Sequence, residues 1–333
     1  MRIGFVLPAH YTFTRANGVR QEALLKQRGL LGLGHEVELC SPWNTPERGS
    51  LDVVHFFYGG LPLVGIEAVA QIAPRRLVYS PIIDSNQTLL DYRLATLVGC
   101  VWRRINTSPG EFRRQCRLAD AVVVRSHHEQ RRVVRGLGIA AAKVHLVHLG
   151  IDTATIDPAR AAAGDRDGIL HLSAFGQERK NVLRLIAAAG PTGLPLTIAG
   201  SCEPRDLVRV QAAAKPFPNI TIRGFLSTAE RDELYYRSRV FALPSLHEGT
   251  GLAALEAGAR GCGVVITRRG GPPDYFAEVG HLVEPRSVDD LRAKLVAAYR
   301  DSAPAQISAY VTARFGSAAC AARLLEVYQG QDA

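Results

Sequence analysis

The chain has 333 residues, 47% hydrophobic and 21% charged, which excludes a disordered or fibrous protein and leaves room for two ordinary domains. Its six cysteines are scattered with no Cys-x-x-Cys pair, so a zinc framework or disulfide scaffold is not indicated and buried thiols are expected. The formal net charge is +9, and residues 1–155 carry most of it, with 19 basic against 12 acidic side chains.

From the N-terminus, Ile3–Leu7 reads as a first strand and is too short for a signal-peptide core. Further strands are predicted at 36–40, 53–57, 77–81, 121–124 and 144–147, with a helix over 19–33 closed by Gly34. Around Trp102 and Phe112 stand Arg103, Arg104, Arg113, Arg114 and Arg117. Such a patch can attract an anionic membrane, a phosphorylated lipid or nucleic acid, although a solvated helix face has the same composition. No nucleic-acid-binding signature accompanies it, so no nucleic-acid partner is expected. Residues 152–167 turn polar and alanine-rich and read as a linker. A second series follows, with strands at 169–173, 196–199, 220–223, 240–243 and 263–267, and helices at 181–189, 205–214, 228–238 and 252–260. A last amphipathic helix covers 317–328. The longest uncharged run, 185–202, holds Pro191, Gly193 and Pro195 and reads as helix end, turn and strand rather than a membrane span. Alternating strands and helices of this kind predict an α/β chain with parallel sheets covered on both faces. The expected location is cytoplasmic, with a peripheral position at the inner face of the membrane left open by the basic patch.

The most informative stretch runs from Pro244 to Gly258. It places Gly249, Thr250 and Gly251 directly before a helix opening at Leu252, and two glutamates, Glu248 and Glu256, on either side of that opening. Unpaired N–H groups at a helix N-terminus attract anions, and glycines let a phosphate approach the backbone. Glu256, in the second helical turn, leans back toward the loop and suits a ribose diol beside a diphosphate. Glu248 has a competing role as a partner of the helix dipole. Arg179 and Lys180 precede another helix, where cations are mildly unfavourable without an anionic partner.

In order along the chain, several segments carry a family resemblance: Asn17-Gly18-Val19, Asp52 to His55, His148 to Asp152, Arg179-Lys180-Asn181, Glu248 to Ala257, Gly261 to Val265, Gly270-Gly271 and Gly280 to Pro285. Together they resemble glycosyltransferase family four, whose members are retaining, sugar-nucleotide-dependent enzymes. The resemblance implies a GT-B fold, two Rossmann-like doubly wound domains facing an interdomain cleft. The implied division is residues 1–155 on the acceptor side, 156–315 for the nucleotide sugar, and a helix over 316–333 crossing back to the first domain. The sequence departs from the family at Thr250, where an aromatic is usual, at Gly263 for a proline, and at Ala174-Phe175 for Gly-Arg. The His-Asp pair expected after the fourth strand is replaced by Tyr79 to Asp84.

By resemblance, Lys180 and Arg179 stabilise a leaving diphosphate and Glu248 holds the donor sugar. Glu256, Gly249, Thr250, Gly251, Leu252, Gly18, Asn17, Gly200 and Phe225 are the implied donor-binding set. His55, Asp84 and His10 are acceptor-side candidates, against a core histidine for His55 and a helix-capping aspartate for Asp84. The implied reaction moves a sugar from a UDP- or GDP-linked donor to a hydroxyl of a sugar, lipid-linked or small-molecule acceptor, with no cofactor and no metal. Two other readings are a sugar-nucleotide epimerase of the same fold and a catalytically silent nucleotide-binding subunit.

Overall fold

A computed structural model describes residues 1–8, 18–41, 43–57, 66–101 (backbone only at 99–101) and 107–331. The chain divides into two compact units, residues 1–152 with 315–333, and residues 153–314. Unit 1 runs β1 (Arg2–Val6), α1 (Gly18–Gly32), β2 (Glu36–Cys40), β3 (Val53–Phe57), α2 (Ile66–Ala70), β4 (Arg76–Ser80), α3 (Leu89–Val101), α4 (Ser108–Leu118), β5 (Ala121–Val124), α5 (His127–Arg131) and β6 (Val144–Leu146). Unit 2 runs α6 (Pro158–Ala162), β7 (Asp167–Leu172), α7 (Val182–Ala189), β8 (Leu196–Ala199), α8 (Pro204–Ala214), β9 (Ile220–Ile222), α9 (Thr228–Arg237), β10 (Ser238–Leu243), α10 (Leu252–Ala259), β11 (Gly263–Thr267), α11 (Pro273–Phe276), β12 (His281–Val283), α12 (Val288–Arg300) and α13 (Pro304–Phe315). The closing helix, α14 (Ser317–Gln329), belongs to unit 1.

Each unit holds one parallel six-stranded sheet, in the orders β2-β1-β3-β4-β5-β6 and β12-β11-β10-β7-β8-β9. Strands such as β3 and β5 are buried throughout because helices cover both faces of a parallel sheet. The order reverses between β1 and β3 in unit 1 and between β7 and β10 in unit 2. Loops leaving adjacent strands diverge at such points and open a crevice at the carboxyl edge.

Expected and observed strands agree within a residue or two. The short strand β12 and the helices α12 and α13 were not among the elements singled out from sequence, and the 152–167 linker carries α6. Local chemistry explains the helix ends. Gly34, at φ +82°, turns the chain after α1, with the N–H of His35 bonded to the Leu30 carbonyl at 3.1 Å. Thr107 caps α4 by accepting from the N–H of Gly110, and Pro109 fits the first turn.

The unit boundary falls after Asp152, where sequence placed it after residue 155, and Phe315 already sits with unit 1. Hydrogen bonding explains this: Ile151 donates to the Phe315 carbonyl at 2.8 Å and accepts from the N–H of Ser317 at 2.8 Å. Helix α14 then places Ala321, Leu324, Val327 and Tyr328 in the core with Ile3, Phe5 and Val53. Its approach to α1 depends on Gly29, where a Cβ would stand 2.6 Å from the Ser317 carbonyl oxygen and 2.8 Å from Ala321 Cβ. Gly29→Val is therefore expected to lower unfolding stability by about 2 kcal/mol through overpacking. Urea titration of the full chain measures this, and an unchanged midpoint would contradict so close a packing.

Candidate active site

In unit 2, two loops leave the sheet at the reversal point, one after β7 and one after β10. Three contacts fasten them together. The Leu246 N–H donates to the Arg179 carbonyl at 2.8 Å. Asn181, held at φ +62° just before α7, donates its side-chain amide to the carbonyls of Pro244 at 2.9 Å and Pro285 at 2.6 Å. Lys180 Nζ lies 2.5 Å from Glu248 Oε1, with both side chains about nine-tenths buried. Lys180 and Arg179 sit in a 3-10 turn, Glu178–Lys180, immediately ahead of α7 rather than inside its first turn.

Glu248 is fixed from every side. Its Oε1 also accepts from the Ser245 hydroxyl at 2.7 Å, and Arg179 approaches the same oxygen at 3.8 Å. Its N–H donates to Arg269 and its carbonyl accepts from Gly271, both at 3.1 Å. Gly270 permits this register, since at φ +104° a Cβ would stand 1.9 Å from the Glu248 carbonyl oxygen.

Gly251, at φ +85°, precedes α10, and no side chain caps that helix start. The first N–H groups of a helix have no partner within it, so the α10 end presents donors and partial positive charge. Thr250, beside it, is 4% exposed, and its hydroxyl has no hydrogen-bond partner among the described residues. Glu256, half-buried on α10, accepts from the Tyr235 hydroxyl at 3.1 Å. Burial, with the Glu256 carboxylate beside it, holds that phenol well above its usual range, so Tyr235 remains the donor.

Gly200 also needs its glycine. At φ +123° a Cβ would stand 1.9 Å from the Ser173 carbonyl oxygen, which brings the ends of β7 and β8 close together. Its N–H donates to the Gly224 carbonyl at 3.1 Å, and the neighbouring Phe225 is 85% exposed. The structure thus brings Lys180, Arg179 and Glu248 into direct contact and places Gly249, Thr250 and Gly251 on the same loop as Glu248, with Leu252 opening α10. Glu256 is held separately by Tyr235.

His171 was not singled out from sequence. It is fully buried on β7, with Nδ1 2.8 Å from the Ala242 carbonyl and Nε2 2.7 Å from the Ser173 hydroxyl. A carbonyl only accepts, so Nδ1 carries the hydrogen and Nε2 accepts from Ser173. A lone histidine inside the apolar run Ile169-Leu170-His171-Leu172 was the available signal.

Unit 1 treats its candidates differently. His55 is fully buried on β3, stacked on Phe57 and bonded to Tyr328 at 2.6 Å and Ser80 at 2.8 Å. Both ring nitrogens are thereby satisfied within the core. Asp84 does not cap the helix that follows it, because α3 begins after Thr88, whose hydroxyl bonds Asp91 at 2.6 Å. Asp84 instead pairs with Arg125 at 2.8 Å and lines a cavity of about 730 Å³ with Val19, Ile82, Ile83, Tyr92 and Phe112. Gly18 opens α1 with free space where a Cβ would lie. His10 and Asn17 lie outside the described residues, as do Trp102, Arg103 and Arg104. The rest of the basic patch is less free than its composition suggested: Phe112 is buried, and Arg114 is paired with Glu111 at 2.7 Å and with Glu67.

Among the described residues, no cluster of three or more His, Cys, Asp or Glu side chains has the arrangement of a metal site, and no helix is long and apolar enough to cross a membrane.

Residues 166–301 match the family model described as Glycosyl transferases group 1. A D-inositol 3-phosphate glycosyltransferase of Mycolicibacterium vanbaalenii is 31% identical over 257 residues, covering 69% of this chain and 55% of that protein. The chain spans about half the length of the relatives it matches. Among solved structures, sucrose-phosphate synthase of Thermosynechococcus elongatus superposes with a TM-score of 0.72 at 15% identity, over 99% of each chain. Anabaena HepE, solved with UDP and glucose, gives a TM-score of 0.67 at 16% identity, over 99% of this chain and all of that one. The fold is therefore that of the GT-B glycosyltransferases, an α/β chain of two Rossmann-like domains. Within it, residues 166–301 of unit 2 are similar in sequence to group 1 glycosyltransferases.

The buried His171 makes stability sensitive to acid. Burial lowers its ring to about 4; the Ala242 bond opposes this and Lys180 adds to it. Below about pH 6.5 the unfolded chain takes up this proton while the folded one does not, so the stabilising difference is intact above 6.5 and lost on descent to 4. Unfolding free energy should fall by about 3 kcal/mol from this residue across that window. His171→Asn should flatten that part of the profile in urea titrations at stepped pH. An equally steep profile in the variant would remove His171 as the cause.

Proposed function

We propose that the chain is a retaining, family-four-type glycosyltransferase that moves a sugar from a nucleoside-diphosphate sugar to an acceptor hydroxyl. The observation that carries this reading is the joined pair of loops at the β7/β10 reversal, which sets Lys180, Arg179 and Glu248 beside the uncapped start of α10. In the relative with bound ligands, UDP and glucose are the molecules found. The orphaned Thr250 hydroxyl is a further group that a ligand can satisfy.

On this reading the diphosphate lies against the N-terminus of α10, where N–H groups meet its oxygens. As the glycosidic C–O bond breaks, negative charge grows on the leaving diphosphate. Lys180 and Arg179 stabilise that charge, and because they are already oriented, little rearrangement is needed at the transition state. Lys180 exchanges part of its contact with Glu248 for the phosphate, and the freed carboxylate oxygen accepts from sugar hydroxyls. Glu256, steadied by Tyr235 through one oxygen, takes the ribose diol with the other. The leaving phosphate accepts the acceptor proton on the same face, which retains configuration without a glycosyl-enzyme bond. Two cations at the diphosphate make a divalent metal unnecessary in this scheme. The relatives compared are transferases and do not favour the epimerase reading.

The test uses UDP- and GDP-sugars with the full chain, reading binding by calorimetry and transfer by product formation. One nucleotide class is expected to bind. Lys180→Gln should lower turnover by about 10²–10³, the usual cost of one preorganised donor to a developing anion. Arg179 is largely exposed, so Arg179→Ala reports on the same charge with little risk to folding. Glu256→Gln should weaken nucleotide binding more than it lowers turnover at saturation. No heat from either nucleotide sugar, or near-normal transfer by folded Lys180→Gln and Arg179→Ala, would refute the assignment.

A further inference from the structure

Ser245 stands three residues before Glu248, the spacing at which a serine ordinarily opens a helix and a glutamate completes the capping box. In that motif the hydroxyl accepts from the backbone N–H of the glutamate, and the carboxylate reaches back to the backbone N–H of the serine. Neither half forms here. No helix follows until Leu252, and the Glu248 N–H is already spent on the Arg269 carbonyl at 3.1 Å. The Ser245 hydroxyl instead donates to the Glu248 carboxylate itself, at 2.7 Å, with the serine fully buried. The loop does not need this bond to keep its path. Its backbone is held by Leu246 on Arg179, by Glu248 on Arg269 and by Gly271 on Glu248.

The two carboxylate oxygens of Glu248 are thereby unequal. Oε1 takes the Ser245 hydroxyl, the Lys180 ammonium at 2.5 Å and, more distantly, Arg179 at 3.8 Å. Oε2 accepts no hydrogen bond among the described residues. The three donors also differ in what else they can serve. Lys180 and Arg179 are the cations set against the diphosphate, and each ends a long side chain. Ser245 has a single hydrogen on a short side chain with no exposed surface, so it stays with Glu248. Once Lys180 turns toward a phosphate oxygen, the carboxylate loses its closest donor just when a sugar hydroxyl has to be held. A buried carboxylate with no remaining donor is costly.

We infer that Ser245 is the positioning residue for Glu248. It keeps hold of Oε1 throughout the reaction and fixes the carboxylate plane, so that Oε2 and the lone pair vacated by Lys180 meet hydroxyls of the donor sugar. This rests on the transferase reading of the site, and adds that Ser245 serves the sugar of the donor rather than its nucleotide. In the resting site Lys180 covers for a missing hydroxyl, so the loss is felt when the sugar nucleotide is bound.

The test compares the full chain with Ser245→Ala by calorimetry, using UDP-glucose, UDP-galactose and GDP-mannose, each beside its free nucleoside diphosphate. Binding decides the matter because it needs no acceptor. Affinity for the free nucleotide is expected to stay within about twofold, while affinity for the sugar nucleotide falls about tenfold, the low end for a hydrogen bond to a charged group. Ser245→Thr keeps the hydroxyl and should bind the sugar nucleotide nearer to the parent. Ser245→Cys keeps the size with a weaker donor, and it carries the comparison if Ser245→Ala melts early. Equal losses for nucleotide and sugar nucleotide would mark a purely structural role and overturn the assignment, as would parent-like binding of both by a folded variant. A parent chain that binds neither kind of ligand overturns the reading of the site itself, and this assignment with it.

Discussion

Asn181 sits at φ +62° and sends its side-chain amide to two carbonyls that follow different strands, Pro244 after β10 and Pro285 after β12. The oxygen of the same side-chain amide accepts from Arg184 at 2.8 Å. Asparagine tolerates a left-handed backbone better than most residues, so one side chain both turns the chain into α7 and fastens three loops. The backbone bond from Leu246 to Arg179 reinforces the same junction. With these loops fixed, Lys180 and Glu248 come within reach although they stand 68 positions apart in the chain.

That ion pair is almost entirely out of water, which changes what it does. A buried pair loses much of its attraction to desolvation and gives weak net stability, but it strongly disfavours any arrangement that leaves one charge alone. Ser245 and Arg179 share the Glu248 carboxylate and reduce that penalty further. The pair therefore acts chiefly on geometry, fixing the Lys180 ammonium against Glu248, four residues before α10 begins. Beneath it, the neutral His171 ring ties β7 to β10 through Ala242 and orients the Ser173 hydroxyl.

Unit 1 places its buried charge elsewhere. Arg125 is surrounded by Glu22 at 3.5 Å, Asp84 at 2.8 Å and Glu129 at 3.1 Å, and Lys26 neutralises Glu22 at 2.6 Å. Glu129 further accepts from the N–H groups of Ile83 and Arg125, which fixes the loop after β4 to the one after β5. The carboxylate of Asp84 is the partly exposed end of this cluster. His55, two strands away, is part of the seal between the sheet and α14, with Tyr328 as its partner.

Strand positions, the α/β class and the glycine loop before α10 were readable because each is a local property. A parallel strand needs a continuous apolar run, and a loop that turns through positive φ needs glycine, as at Gly251 and Gly270. Lys180 stood out because a cation just ahead of a helix is mildly unfavourable, and Glu248 and Glu256 because they bracket the glycine loop before α10. The partners of those groups were hidden. Nothing local to Asn181 announces Pro285, and nothing local to Glu256 announces Tyr235 on α9. The spare charge of Arg114 and the helix-capping role of Asp84 were plausible by composition and were decided by Glu111, Glu67 and Arg125. Sequence alone thus determined where the chain turns, which runs are buried and which loop can face an anion, because short-range sterics and hydrophobic patterning act within a few residues. Tertiary structure alone decided which charges neutralise one another and which histidines stay uncharged, because these depend on distances between segments far apart in the chain.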